Sequence, residues 1–307
     1  MKKALFALAV VSLIVVGILR ASPVSRSPES DFQKIKITTT LFSLYDFAKN
    51  IGQDKVEILL LLPPGIEAHS FEPTPSNIVT INESDLFIYS GKFMEPWVDD
   101  LIAGMKEGSA LILNASRGVE LMVKKEHDQT DVDPHFWLNF DNAKIVVDHI
   151  AQALSEVDPY NASFYQKNAQ GYKEQLGQLD FEYQDTLLSC QSKKIIYGGH
   201  YALGYLAKRY GLIYTAAQGL APDAEPTVND LIALVTQINE NDFKYIFYEE
   251  LASPKIAETL AKETGAKMLL LHSAHNLSKK DYENNATFLS LMRNNLANLS
   301  VGLNCSN

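Results

Sequence analysis

Strand-like and helix-like stretches alternate along this chain in two separate series, with a long strand-free stretch between them. In the first series Lys36–Leu41 is rich in Ile and Thr, and Val56–Leu62 is an almost unbroken apolar run. Leu86–Tyr89 and Ala110–Leu113 repeat the pattern, with helical spacing over Ser43–Ile51 and Glu95–Met105. In the second series Lys194–Tyr197, Ile213–Ala216, Tyr245–Tyr248 and Lys267–Leu271 read as strands. Tyr201–Tyr210, Val228–Asn239, Pro254–Glu263 and Asp281–Leu299 read as helices. Short apolar strands of this kind are buried on both faces, which a mainly parallel sheet covered by helices provides. The fold class is therefore α/β, with two lobes of that kind.

The intervening stretch, Asn142–Leu188, has almost no strand signal. Asp158-Pro159 breaks it, and Pro159 suits the first turn of a new helix. Beyond it Phe164, Tyr165, Tyr172, Leu176, Leu179, Tyr183 and Leu187 recur at helical spacing. A helix from Pro159 to Leu188 would be about 45 Å long, at roughly 1.5 Å per residue, enough to connect two lobes rigidly. The expected organisation is an N-terminal lobe over 35–158, a linking helix over 159–190 and a C-terminal lobe over 191–307.

Ahead of the lobes, Lys2 and Lys3 precede an apolar run from Ala4 to Leu19, followed by Arg20, Ala21 and Ser22. A basic start, an apolar run and small residues describe a secretory signal, so 1–23 reads as a signal peptide or, alternatively, a retained anchor. No Cys closes the run, so no lipid anchor is available at that point. Residues 24–34, rich in Pro and Ser, read as a flexible lead-in. Export makes one Cys190–Cys305 disulfide the favoured state of the two cysteines, over two unpaired thiols. The net charge of −10 argues against nucleic acid or anionic lipid as partner, and suits a soluble protein that attracts cations.

Of seven histidines, three fall where strands end. His69 follows Val56–Leu62 through the loop Pro63-Pro64-Gly65-Ile66-Glu67-Ala68, His200 follows Tyr197-Gly198-Gly199, and His272 follows Leu271 directly. Ligands of open α/β sheets bind beyond the carboxyl ends of the strands, so residues from both halves can converge on one crevice. His135, in Asp133-Pro134-His135-Phe136-Trp137-Leu138, closes the first half. Four imidazoles can fill the tetrahedral shell of one transition-metal ion, and they favour zinc over manganese, which prefers oxygen donors. His275 competes with His272 for the fourth place, as do water and a carboxylate. Glu249 or Glu250 is either an acceptor for an imidazole N–H or a carboxylate beside the helix that begins near Pro254. His127 reads as solvated and His149 as structural; Asp158, Glu225 and Lys279-Lys280 read as solvated surface.

Over nearly all of the mature chain the sequence resembles the metal-binding solute-binding proteins that serve zinc and manganese ABC importers. The residues that carry this are Gly65 with Ala68-His69-Ser70-Phe71-Glu72-Pro73-Thr74-Pro75, and Asp133-Pro134-His135-Phe136-Trp137-Leu138. Gly199-His200-Tyr201-Ala202-Leu203-Gly204-Tyr205, Tyr210-Gly211-Leu212 and Glu225-Pro226-Thr227 add to them. The resemblance implies two α/β lobes joined by one long helix, with metal ligands at His69, His135 and His200. It implies a fourth ligand that is usually Asp, where this chain has His272. The long His-rich loop that often precedes the second ligand is absent here. The implied function is extracytoplasmic, in the periplasm or its equivalent: high-affinity binding of Zn2+ as transported cargo, with Mn2+ or Fe2+ as alternatives. Delivery would be to the membrane permease of an ABC importer, by a monomer that is not an enzyme. A zinc hydrolase is the competing class, but no His-Glu-x-x-His motif or nucleophile elbow supports it.

Overall fold

The computed structural model describes residues 34–306 except 107, 127, 128, 221, 223 and 224. The expected signal segment, most of the lead-in and His127 lie outside the described residues. The first half builds strands β1 (Ile35–Thr39), β2 (Val56–Leu60), β3 (Leu86–Tyr89) and β4 (Leu111–Asn114), with helices α1 (Phe42–Gly52), α2 (Pro75–Asn82) and α3 (Val98–Gly104) between them. All four strands are parallel, in the order β2-β1-β3-β4. Leu86, Phe87 and Ile88 are wholly buried, as central parallel strands require.

An antiparallel hairpin, β5 (Met122–Glu126) and β6 (Gln129–Asp133), then leads to helix α4 (Phe140–Val157) and the long helix α5 (Ala162–Leu188). The second half repeats the first arrangement. Strands β7 (Lys194–Tyr197), β8 (Ile213–Ala216), β9 (Tyr245–Tyr248) and β10 (Lys267–Leu270) form a second parallel sheet in the order β10-β9-β7-β8. Its helices are α6 (Gly204–Tyr210), α7 (Val228–Glu240), α8 (Lys255–Thr264), α9 (Lys279–Glu283) and α10 (Phe288–Gly302).

The α/β expectation holds, with two parallel sheets and a long helix between the halves. The differences have local causes. The expected helix over Asp281–Leu299 is two helices, because Asn285 adopts φ 54° and Thr287 caps a new start, accepting from the N–H of Ser290. Helix α2 and the β5–β6 hairpin are structure that periodicity did not show. Helix α2 starts at a Thr74–Asn77 capping box with Pro75 in its first turn, and it buries only Ile81, so its apolar stripe is too thin to read.

Helix α5 is amphipathic: Tyr165, Tyr172, Leu176, Leu179, Tyr183 and Leu187 are buried in the main core. Two of its phenols are tied to other elements. Tyr172 donates to Asp46 of α1 at 3.0 Å, and Tyr183 donates to the carbonyl of Met292 in α10 at 2.6 Å. Both halves are thus fastened to one rod. Its end is further closed by a Cys190–Cys305 disulfide, which joins positions 115 residues apart. We expect the Cys190→Ser, Cys305→Ser double variant to lose about 2–4 kcal/mol of stability, mainly through greater freedom of the unfolded chain. Urea unfolding of the two proteins side by side checks this.

Candidate metal centre

Each histidine of the cleft is delivered by a local device. The loop that carries His69 turns at Gly65, whose φ of 89° is one L side chains rarely adopt. The N–H of Gly65 bonds the carbonyl of Leu277 at 2.7 Å, and the Asn276 side-chain amide donates to the carbonyls of Pro63 and Ile66 at 2.8 Å each. A segment from the second half therefore holds this first-half loop in shape.

His135 opens a 3-10 turn over Phe136–Leu138. Its backbone N–H and its ring Nδ1 both reach Asp133 Oδ1, at 3.0 and 2.8 Å. Trp137 in the same turn donates its indole N–H to the carbonyl of Ser273 at 2.9 Å, linking the two halves. His200 repeats the arrangement with a carboxylate from another strand end. Its backbone N–H and Nδ1 reach Glu249 Oε2 at 3.2 and 2.8 Å, with Oε1 2.7 Å from the same Nδ1. This approach requires Gly199, where a Cβ would lie 2.6 Å from Glu249 Oε2; Gly198 answers to another neighbour, since a Cβ there would lie 2.7 Å from the Ala257 Cβ.

With Nδ1 of His135 and of His200 held from behind, their Nε2 atoms converge with that of His69. His69 Nε2 and His200 Nε2 each lie 3.2 Å from His135 Nε2. The three ring centroids are 5.1–5.2 Å apart. His275 stands nearly equidistant from all three, its centroid 6.3, 6.5 and 6.1 Å from those of His69, His135 and His200. Its Nδ1 meets the Ser273 hydroxyl, and its Nε2 faces Glu67 Oε2 at 3.4 Å.

The structure thus brings His69, His135 and His200 together, with His275 as the fourth ring. His272 is engaged elsewhere. Asn295 of α10 clamps its backbone, accepting the N–H at 2.7 Å and donating to the carbonyl at 2.8 Å. Its Nδ1 accepts the N–H of Ala274 at 2.9 Å and lies 3.0 Å from Glu250 Oε1. Glu249 serves His200, the imidazole-acceptor role weighed for it, and Glu250 accepts from the Ser273 backbone and hydroxyl. Helix α4 carries His149, which lines a surface groove with Arg117 and Glu156. Sequence reasoning gave no role to Asp133 or Glu67. Each lies two residues before a histidine and accepts that residue's backbone N–H, so an acid-x-His spacing was the available signal.

Burial pushes the imidazoles of His69 and His135 well below their ordinary value, with the neighbouring rings adding to the effect. Burial opposes charge on His275 too, yet the Glu67 carboxylate outweighs it and raises His275 to about 9. Asp133 is raised to about 7, chiefly by burial. Two neutral imidazoles with Nε2 lone pairs and a third ring that an acid holds in place form a nitrogen-rich set for a borderline-soft divalent cation.

Two α/β lobes that converge buried imidazoles on one point define a metal-binding protein of the two-lobed solute-binding class. The family model described as zinc-uptake complex component A, periplasmic, matches residues 37–302, and the chain belongs to that family. It is 37% identical over 310 residues to the high-affinity zinc uptake system protein ZnuA of Bacillus subtilis, covering 97% of each. It is 33% identical to the zinc-binding lipoprotein AdcA of Streptococcus pneumoniae, over 86% of this chain and 54% of that one, so it spans about half of AdcA's length. Among solved structures, the metal-dependent lipoprotein YcdH of B. subtilis superposes with a TM-score of 0.77 at 38% identity, over 88% of this chain and 99% of that one. The Zn(II)-bound ZnuA-like domain of S. pneumoniae AdcA also gives 0.77, at 33% identity and the same coverages.

In ion-free protein, the ring nitrogens of His135 should stay neutral well below pH 6.5, whereas His275 should be a cation at pH 7 and lose its proton near pH 9. Ring 15N chemical shifts across a pH series check both directions.

Proposed function

We propose that this chain binds one zinc ion through His69, His135, His200 and His275 and delivers it to the permease of an ABC importer outside the cytoplasm. The observation that carries the reading is the near-equal distance of the fourth ring from three imidazoles already in contact. Four nitrogen donors make a closed tetrahedral shell, which leaves no position for the reactive water of a hydrolase. A nitrogen-only set also favours zinc over manganese. The names of the relatives support the metal, and the family's description supports a periplasmic or equivalent location.

The carboxylates behind the rings do two jobs. Asp133 and Glu249 fix the tautomer of His135 and His200, so that Nε2 presents a lone pair to the ion. They also supply negative charge near a dication that neutral imidazoles cannot neutralise. Without an ion, Glu67 holds His275 as a cation, and this proton must leave before Nε2 can coordinate.

Two outcomes test the assignment. His275→Ala should cost more than about 100-fold in zinc affinity, beyond the range of an outer-shell change, while His272→Ala should leave affinity close to that of the parent. Asp133→Asn should cost about 10–100-fold, because the amide can no longer hold a charged acceptor behind His135. Competition against a chromophoric chelator measures all three. The reverse order for His275 and His272 would move the fourth ligand to His272. With His275 raised to about 9, affinity should also climb as pH rises from 6 toward 9, and the same assay follows it.

A further inference from the structure

A second set of donors lies beside the three imidazoles: Glu67, Glu249 and His275 present ligand atoms within 4.8 Å of one another. His275 is wholly buried, and its Nε2 is aimed at this set with no hydrogen-bond partner. Glu67 Oε2 faces that nitrogen at 3.4 Å and makes no hydrogen bond, while Glu249 Oε1 also lies 2.7 Å from His200 Nδ1. Glu67 and His69 are both partly exposed, but of the two only Glu67 opens onto a groove. Its side chain is 21% exposed, and it lines a groove of about 610 Å³ with Glu225, Pro226, Leu251 and Lys255. It is anchored at its other oxygen, Oε1, which accepts the N–H of His69 at 3.2 Å.

We infer that Glu67, Glu249 and His275 form an outer seat through which the ion passes on its way into and out of the three-imidazole site. One ion occupies either seat, and His275 belongs to both. The inference rests on the zinc-binding reading above. A hydrated dication that moved straight onto the three imidazoles would give up its water shell with no anionic donor in direct contact. The outer seat offers two carboxylate oxygens and, once Nε2 of His275 has given up its proton to solvent, one nitrogen, a set that holds an ion still carrying water. Exchange of water for His69, His135 and His200 then proceeds one ligand at a time while Glu67 stays attached. Glu67 is a positioning residue on the route and leaves the shell once His275 has turned to the inner ion.

The test compares wild-type protein with Glu67→Gln and Glu225→Gln. Stopped-flow mixing with zinc measures association, an excess of chelator measures dissociation, and Co(II) absorption reports the geometry of the resting site. For Glu67→Gln, association and dissociation should both slow, each by about tenfold, with little change in equilibrium affinity and the same tetrahedral Co(II) bands. Glu225→Gln, which alters the groove without touching the inner set, should leave both rates close to wild type. An unchanged association rate in Glu67→Gln overturns the outer seat. So does faster dissociation with lost affinity and altered Co(II) bands, which would make Glu67 a resident ligand. Equal slowing in Glu225→Gln would assign the effect to general groove charge and overturn it as well. Wild-type protein that bound no zinc would remove the zinc reading itself, and the seat with it.

Discussion

The site depends on a single repeated contact: a buried carboxylate that holds the backbone N–H and the ring Nδ1 of one histidine together. Asp133 does this for His135 and Glu249 does it for His200. The double grip fixes ring direction as well as tautomer, so the Nε2 atoms meet at 3.2 Å. Free imidazoles would have no reason to crowd so closely inside a protein. Here the crowding is stabilised by contacts on the far side of each ring, and the low basicity of His135 follows from burial. The grip also explains one of the glycines. Glu249 can stand behind His200 only because Gly199 has no side chain, while Gly198 lets the same loop pass Ala257 of α8.

The second constraint is the path of the chain after β10. Residues 271–277 run between the halves with hardly any exposure, and they bond to both. Asn295 clamps His272, Trp137 donates to Ser273, and the N–H of Phe42 donates to the carbonyl of His275 at 2.9 Å. Asn276 and Leu277 hold the loop that carries His69. One segment therefore supplies the fourth ring and sets the position of the first.

Much of this was legible in the sequence, and the rest was hidden for identifiable reasons. Apolar runs such as Leu86–Tyr89 revealed the parallel strands because burial on both faces leaves no polar position. The strand-end rule found His69 and His200 because each device that delivers them is written locally, in Pro63-Pro64-Gly65 and in Gly198-Gly199. The same rule favoured His272, which does end a strand. What it lacked was the turn that follows: Ala274 adopts φ 57°, and its N–H is bonded to His272 Nδ1, which carries the chain on to His275. A positive φ at alanine has no sequence signature. Asp133 and Glu67 were missed because their partner histidines are found by position, whereas their own role appears only once the rings are oriented.

With His275 as the proposed fourth ligand, the charge of the site changes. The resemblance to zinc and manganese binding proteins implies a carboxylate as fourth ligand, set against His272, which would bring one negative charge into direct contact with the ion. An all-imidazole shell brings none, so the dication's charge must be met from further out. The structure has this compensation around His275: Glu67 faces Nε2, and Glu250 reaches the ring through the Ser273 hydroxyl. In the ion-free protein His275 is held by an acid on one side and a hydroxyl relay on the other. The arrangement keeps the negative charge of the site while making every direct donor nitrogen, and a nitrogen shell discriminates against hard, oxygen-seeking ions more strongly than a mixed one. On the proposed ligand set, histidine in place of a carboxylate moves the charge outward and leaves the choice of metal to the donor atoms.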